Sequence, residues 1–225
     1  MNIENLSQSY LFGSIDQNDL LQLFSKIEIK ESDFEKGDIL AQQDEPCNRL
    51  IILTQGSVKA EMTDPSGKVV KVEDIHAPNP LAILFLFGKK NKFPVQVSAL
   101  EKTSALIIPR HSVLKMLSMN EQLLKNYLDI SANFAAQLSS KLFLMSFRTI
   151  RQKLAMYLLD LSNNSDKNTV ELDRSQTALA EYFGVSRPSL TRELSNMVKD
   201  NLISMDKKQI RLENKNKLFQ MVQFS

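Results

Sequence analysis

The stretch that most constrains the fold of this chain is Arg174-Ser-Gln-Thr-Ala-Leu-Ala180-Glu-Tyr-Phe-Gly184-Val-Ser186-Arg187-Pro-Ser-Leu190-Thr-Arg192-Glu-Leu194. The hydroxyl of Ser175 can accept from free backbone amides and cap a helix running to about Phe183. Ala180 lets a second helix approach closely. Gly184 follows where the chain must leave the first helix in a sharp turn, a backbone state that costs least without a Cβ. Ser186 can cap the next helix, and Pro188 falls in its first turn, where a missing amide hydrogen does little harm. Leu190, Leu194, Met197 and Val198 then recur at helical spacing and mark its buried face. A helix, a glycine turn and a second helix in this order form the helix-turn-helix pattern, whose second helix enters the major groove of DNA.

At about 100° per residue, Ser189, Arg192, Asn196 and Lys199 fall on the side opposite the apolar row and are expected to face DNA. Arg192 is the leading base reader, because its planar fork matches the two acceptors that guanine shows in the major groove. Arg187 lies off that stripe, yet from the helix start it can project toward a base or a phosphate. Ser175, at the start of the first helix, joins the expected DNA-facing set. The competing reading is an ordinary helical hairpin with solvated arginines, and the combined alanine, glycine and leucine spacing weighs against it. Downstream, Leu202-Ile-Ser-Met205 and Gln209-Ile-Arg-Leu212 alternate around Asp206-Lys-Lys208, the pattern of a β-hairpin. Such a hairpin would be the wing of a winged helix, with Lys207 and Lys208 at its tip either touching phosphate or simply aiding solubility.

Charge supports this division of the chain. The 225 residues carry a net charge of +2, but residues 148–225 hold 13 Lys/Arg against 9 Asp/Glu, leaving the remainder slightly acidic. The single cysteine, Cys47, excludes an intramolecular disulfide framework and any cysteine-only metal or iron–sulfur site, and fits a reducing, cytoplasmic setting. No metal site is expected. No stretch reaches the length needed to cross a bilayer, and Met1-Asn-Ile-Glu-Asn-Leu6 does not open a secretory signal, so no membrane partner is expected.

Residues from about 34 to 109 read as short β segments separated by turn residues: Gly37, Asp44-Glu-Pro46, Gly56, Asp64-Pro-Ser-Gly67, Ala77-Pro-Asn-Pro80 and Gly88. Leu50–Leu53, Val69–Val72 and Ala105–Ile108 are expected core strands, with a hairpin turning at Asp64–Lys68. A helix from Ile15 to Phe24, opened by Ser14 or Asp16, precedes them. Closely spaced strands of this kind build a sandwich or roll.

From about Asn120 to Phe147 a helical pattern runs without interior proline or glycine. Leu124, Tyr127, Ser131, Phe134, Leu138, Lys141 and Met145 alternate three and four apart, and Leu128, Ala135 and Leu142 broaden the stripe. Nearly four heptads make a two-helix seam, and the economical seam is a homodimer. The alternative is a helix packed only on its own β-domain. Dimer contacts are expected at Leu124, Tyr127, Leu128, Ser131, Phe134, Leu138 and Met145. A further helix, Thr149 to Leu161, leads through the polar loop Ser162–Asn168 to the helix-turn-helix. The reading is therefore an α+β chain: a β-roll sensor domain at 1–118, a long dimerisation helix at 119–147 and a winged helix-turn-helix at 148–225.

A roll with glycines at Phe34-Glu-Lys-Gly37-Asp38 and Gln55-Gly56-Ser-Val58, a long helix and a C-terminal winged helix-turn-helix together resemble the cyclic-AMP receptor protein/Fnr family. The resemblance spans essentially the whole chain and is strongest at Gly184-Val-Ser-Arg187-Pro-Ser-Leu-Thr-Arg192. It implies a jelly roll of the cyclic-nucleotide-binding type and a homodimeric transcription regulator on a pseudo-palindromic site in double-stranded DNA, with RNA polymerase as a further partner. Many members carry an acidic residue where this chain has Pro188, so a cytosine acceptor is missing and the preferred operator should differ.

The family's nucleotide-binding members carry Gly-Glu for the ribose and Arg-Ser or Arg-Thr for the cyclic phosphate. This chain reads Asn79-Pro-Leu-Ala-Ile-Leu84 and Lys92-Phe93-Pro94-Val95 at those places, which argues against a cyclic nucleotide. The cysteine cluster of Fnr-like oxygen sensors is also missing. Pro80 to Pro94 is similar to a subgroup that answers nitrosative stress, in some members through haem. That makes haem or nitric oxide a candidate effector and His76 and His111 weak candidate ligands, each with a purely structural alternative. A rival function is a constitutive DNA-binding regulator whose roll only supports dimerisation. An enzyme is not expected, because two histidines, no nucleophile beside a base and no phosphate-binding glycine loop leave little from which to build an active site.

Overall fold

The computed structural model describes residues 5–163 and 168–223, and the chain forms two compact units, 1–133 and 134–225. The first is a β-roll. Its strands are β1 (Lys30–Phe34), β2 (Ile39–Ala41), β3 (Arg49–Gln55), β4 (Ser57–Thr63), β5 (Val69–His76), β6 (Pro80–Leu81), β7 (Gln96–Ala99) and β8 (Thr103–Pro109). They form two four-stranded antiparallel sheets, ordered β1-β8-β3-β6 and β2-β7-β4-β5. Leu50–Leu53 in β3 are all buried, as a continuous apolar run requires when both sides of a strand are covered. Ala105, Leu106 and Ile108 of β8 join them in one core with Leu40, Val58, Leu81 and Val97.

The expected core strand Val69–Val72 is corrected. It is a strand, but among the described residues it forms the edge of its sheet, paired with β4, and Val69, Val70 and Val72 are 56%, 48% and 52% exposed. β-propensity placed the strand, while sheet order decided that it would not be core. The hairpin itself turns as expected: Asp64 Oδ1 accepts from the Ser66 and Lys68 amides at 2.8 and 3.1 Å. Gly56, between β3 and β4, has φ of +84°, and a Cβ there would lie 2.6 Å from the Lys102 carbonyl oxygen, so only glycine fits.

Helix α1 covers Gln17–Ser25, starting two residues later than expected, because Asp16 rather than Ser14 provides the cap by accepting from the Asn18 amide at 2.8 Å. After α2 (Arg110–Met119), α3 runs over Glu121–Ser146, and the Asn120 side chain accepts from the Leu123 amide at its start. The N-terminal part of α3 is fastened to the roll. Leu123 is buried, the Asn126 amide donates to the Leu11 and Gly13 carbonyls at 2.9 Å each, and the Tyr127 ring meets Phe87 edge-on at 5.8 Å.

The second unit takes in the C-terminal part of α3, then α4 (Ile150–Asn163), β9 (Thr169–Glu171), α5 (Gln176–Phe183), α6 (Arg187–Lys199), β10 (Ile203–Asp206), β11 (Gln209–Leu212) and α7 (Lys215–Gln223). Leu154 and Leu158 of α4 pack with Leu179, Phe183, Leu190, Leu194, Met197, Ile210 and Leu218 in a separate core. β9 adds a third strand beside the expected hairpin, giving the order β10-β11-β9. The sequence reading missed both β9, a three-residue strand, and α7, whose Leu218 is buried. Of the expected polar loop after α4, residues 164–167 lie outside the described residues. No helix among the described residues is long and apolar enough to cross a membrane.

Candidate nucleic-acid interface

Each boundary of the helix pair has a chemical cause. Ser175 Oγ accepts from the Ala178 amide at 3.2 Å and starts α5. Gly184 ends it with φ +68° and ψ +37°, its amide and that of Val185 returning to the last turn of the helix. Ser186 Oγ then accepts from the Ser189 amide at 3.3 Å and starts α6, with Pro188 in its first turn. Leu190, Leu194 and Met197 are buried, whereas Val198 is 38% exposed. The expected buried row therefore loses its last member: at about 100° per residue, Val198 has rotated beyond the stripe centred on Leu190 and Leu194.

Opposite that stripe the exposed residues are Pro188, Arg192, Ser195 and Lys199. Arg192 and Lys199 thus stand where expected. Ser189 and Asn196 are half-buried on one flank, Ser189 sharing a 2.8 Å hydrogen bond with the capping Ser186 hydroxyl and Asn196 donating to Glu193 at 3.4 Å. On the other flank are Arg187 and Thr191, both exposed. The sequence reading passed over Thr191 and Ser195 because small hydroxyl residues carry no distinctive signal at one position. Thr191 nevertheless touches α5, its hydroxyl lying 3.1 Å from Gln176 Oε1.

The framework behind α6 is electrostatic as well as apolar. Arg151 of α4 donates to Glu193 at 2.5 Å and to Asp200 at 2.6 Å, gripping α6 in its middle and at its end. These hydrogen bonds raise the arginine's pKa above its ordinary value, Glu193 contributing most. One guanidinium shared between two carboxylates offsets one of their two negative charges, leaving this end of α6 less repulsive to an anion. Ahead of α5, the Tyr157 hydroxyl donates to Asp173, and Arg174 lies over the Tyr182 ring at 4.4 Å. Burial, followed by the bond to Asp173, pushes the Tyr157 hydroxyl above the ordinary phenol range. In the wing, β10 and β11 pair from Ile203↔Leu212 to Asp206↔Gln209, leaving Lys207 and Lys208 exposed at the turn.

Along α3, Leu124, Leu128, Phe134, Leu138 and Leu142 are 39%, 56%, 45%, 49% and 61% exposed. Tyr127 faces Phe87 of its own roll, and the Ser131 hydroxyl donates to the Tyr127 carbonyl at 2.9 Å. The Met145 side chain lies outside the described residues.

The roll interior places a different set of groups. Phe93 is fully buried, and the Arg49 guanidinium lies 5.4 Å from its ring centre. The same guanidinium donates to Glu45 at 2.7 Å and to the Leu40 carbonyl at 3.1 Å. This guanidinium is not free: it is paired with a carboxylate and lies against an aromatic ring. Nor do the candidate haem ligands come together. His76 ends β5 exposed, and His111 on α2 is also exposed, 3.5 Å from Glu28. Cys47 is buried near the Arg49 and Ala82 carbonyls, and burial pushes its thiol up to about 11, so at neutral pH it offers no thiolate. Among the described residues, no cluster of three or more His, Cys, Asp or Glu side chains is placed to hold a metal ion.

Comparison with known proteins extends these observations. The model of the cyclic nucleotide-binding domain matches residues 31–120, and that of the Crp-like helix-turn-helix domain matches residues 152–221. The chain is 25% identical over 210 residues to the global nitrogen regulator of Synechococcus elongatus, an alignment covering 88% of this chain and 95% of that protein. It is 21% identical over 182 residues to the transcriptional activator protein Anr of Pseudomonas aeruginosa, covering 79% of this chain and 74% of that one. The crystal structure of the Thermus thermophilus catabolite activator protein shares the fold, with a TM-score of 0.56 at 17% identity over 95% of this chain and 98% of that one. With both domain models in chain order and regulators of this type matching along most of its length, the chain belongs to the Crp/Fnr family of transcription regulators.

Proposed function

We propose that this regulator works as a homodimer on a two-fold symmetric DNA site, laying one α6 in the major groove of each half-site. Arg192 reads guanine there, and Arg187 and Lys199 support it. Ser175, Ser189 and Asn196 contribute at the edges of the site, while Lys207 and Lys208 contact phosphate. The observation carrying this reading is the outer face of α6, where Arg192 and Lys199 are exposed and opposite the buried Leu190–Leu194–Met197 row. The exposed leucines of α3 support the dimer, because a solvent-facing apolar row at heptad spacing gains most by meeting its own copy. In the domain division that goes with this reading, 1–118 is a sensor-type roll, 119–147 the dimer helix and 148–225 the DNA-binding domain.

In this proposal the roll does not take a cyclic nucleotide. Arg49 is committed to Glu45 and the Leu40 carbonyl, and Phe93 fills the interior beside it. The same filling favours a second reading, in which the protein regulates constitutively and the roll serves dimerisation alone. One experiment tests the DNA reading. Binding is measured on duplexes with one and two half-sites, each base varied, over a range of salt concentrations. Arg192→Ala should lose about 1–3 kcal/mol at one base position per half-site, whereas Lys207→Ala should weaken all sequences alike and reduce the salt slope by about 1. Equal loss on every sequence for Arg192→Ala would remove its role as a reader, and equal affinity for one and two half-sites would remove the dimer.

A further inference from the structure

The contact between α5 and α6 at Thr191 contains a hydrogen-bond conflict with a consequence for base reading. Thr191 Oγ1 is 3.0 Å from the Arg187 carbonyl oxygen and 3.1 Å from Gln176 Oε1. A hydroxyl carries one hydrogen, so it donates to one of these oxygens and leaves the other facing a lone pair. Turning the Gln176 amide by 180° exchanges its oxygen and nitrogen without moving any other heavy atom. Its NH₂ group then donates to the Thr191 oxygen, and the Thr191 hydroxyl donates to the Arg187 carbonyl. The turned arrangement makes two hydrogen bonds in the space where the other makes one.

The orientation also decides what Gln176 shows to a partner. Gln176 opens α5, and Thr191 adjoins Arg192 on α6. With the NH₂ group held by Thr191, the amide oxygen points outward as an acceptor. An outward acceptor has no use for a phosphate oxygen, but it matches the exocyclic amine that adenine and cytosine present in the major groove. We infer that Thr191 and Gln176 form a specificity-determining pair: the Thr191 hydroxyl holds the Gln176 amide with its oxygen toward DNA, where it accepts from adenine or cytosine at a base pair other than that of Arg192. Thr191 is the positioning residue and Gln176 the reader. The inference rests on the reading of α6 as the base-reading helix.

The test is selection of full-length protein on a duplex library with the half-site randomised, followed by counting of bases at each position. Wild-type protein enriches adenine or cytosine at one position besides the one that depends on Arg192. Thr191→Val preserves the shape and frees the amide to turn, so that enrichment falls about fivefold, the factor one hydrogen bond supplies. Thr191→Ser restores it. Gln176→Ala abolishes it, and Gln176→Glu retains it at lower overall affinity, since a carboxylate presents acceptors only. Unchanged base frequencies in Thr191→Val overturn the inference. So does a Gln176→Ala variant that binds every sequence more weakly with a shallower salt dependence, the behaviour of a phosphate contact. Arg192→Ala in the same selection separates the two readings. If it loses its own base position while Thr191→Val alters none, only the pair fails, and if neither alters any position, the base-reading role of α6 fails with it.

Discussion

The outer face of α6 and the interior of the β-roll treat their cations in opposite ways. Arg187, Arg192 and Lys199 are exposed, and among the described residues no ion pair holds them, whereas the neighbouring Glu193 and Asp200 share Arg151. Arg49 in the roll donates through Nη2 to Glu45 and the Leu40 carbonyl and lies against the Phe93 ring. A guanidinium without an ion-pair partner keeps its full charge for an incoming anion, while one paired with a carboxylate has that charge offset already. The winged unit is therefore arranged for an external, anionic partner. The roll has turned the comparable chemistry inward, into its own packing.

Four experiments strain that contrast further, beyond the Arg192 and Lys207 comparison. The largest effect is expected from Phe93→Ala, which removes a fully buried ring and should cost about 3–5 kcal/mol in unfolding of the roll, with no gain of cyclic-nucleotide affinity. Denaturant melting followed by nucleotide titration checks it, and acquired nucleotide binding would show that the ring alone had blocked a working site. Next is the Cys47 thiol, raised to about 11 by burial. At pH 8 its alkylation by iodoacetamide should be about a hundredfold slower than in the unfolded chain. Because the folded value lies above the ordinary one of 9.0, its stabilising contribution is complete below about pH 9 and lost as pH rises toward 11.

A smaller effect is expected at the turn between the helices. Gly184→Ala meets no neighbour within 4 Å, so its cost is that of a left-handed backbone alone, about 1–2 kcal/mol, read by thermal melting and a matching loss of DNA affinity. The smallest is His111→Ala. Its side chain is 73% exposed, and stability should change by less than about 0.5 kcal/mol in chemical denaturation. A large loss there would give the roll a site that its geometry does not show.

The helix pair of the winged half was legible in the sequence to within a residue or two, because caps, a turn glycine and a leucine spacing act over distances shorter than a helix, whereas β9 and α7 were not. Ser175, Gly184 and Ser186 do in the structure what their chemistry required. Where legibility failed, the missing information was tertiary. Val198 follows the apolar spacing yet is exposed, and Asn196 and Ser189 turn to the half-buried flank, because the width of a buried stripe depends on what packs against it. Thr191 was invisible because its significance lies in Gln176, fifteen positions away and on another helix. In the roll, Val69–Val72 look like core and lie at an edge, since strand propensity says nothing of sheet order.

Local chemistry along the chain determined the family-level plan: a turn-rich β region, an uninterrupted helix with an apolar heptad stripe, and a capped helix pair with two arginines on its second member. Those features arise from backbone preferences and side-chain periodicity, both of which a linear sequence carries in full. The tertiary structure alone decided which groups remain available. It set Arg49 against the Phe93 ring, pressed Tyr127 against Phe87 and left Leu128, Leu138 and Leu142 facing solvent. The physical reason is that a side chain's hydrogen bonds and apolar surface can be satisfied by residues far away in sequence, and that depends on the packed fold rather than on the neighbours each residue has along the chain.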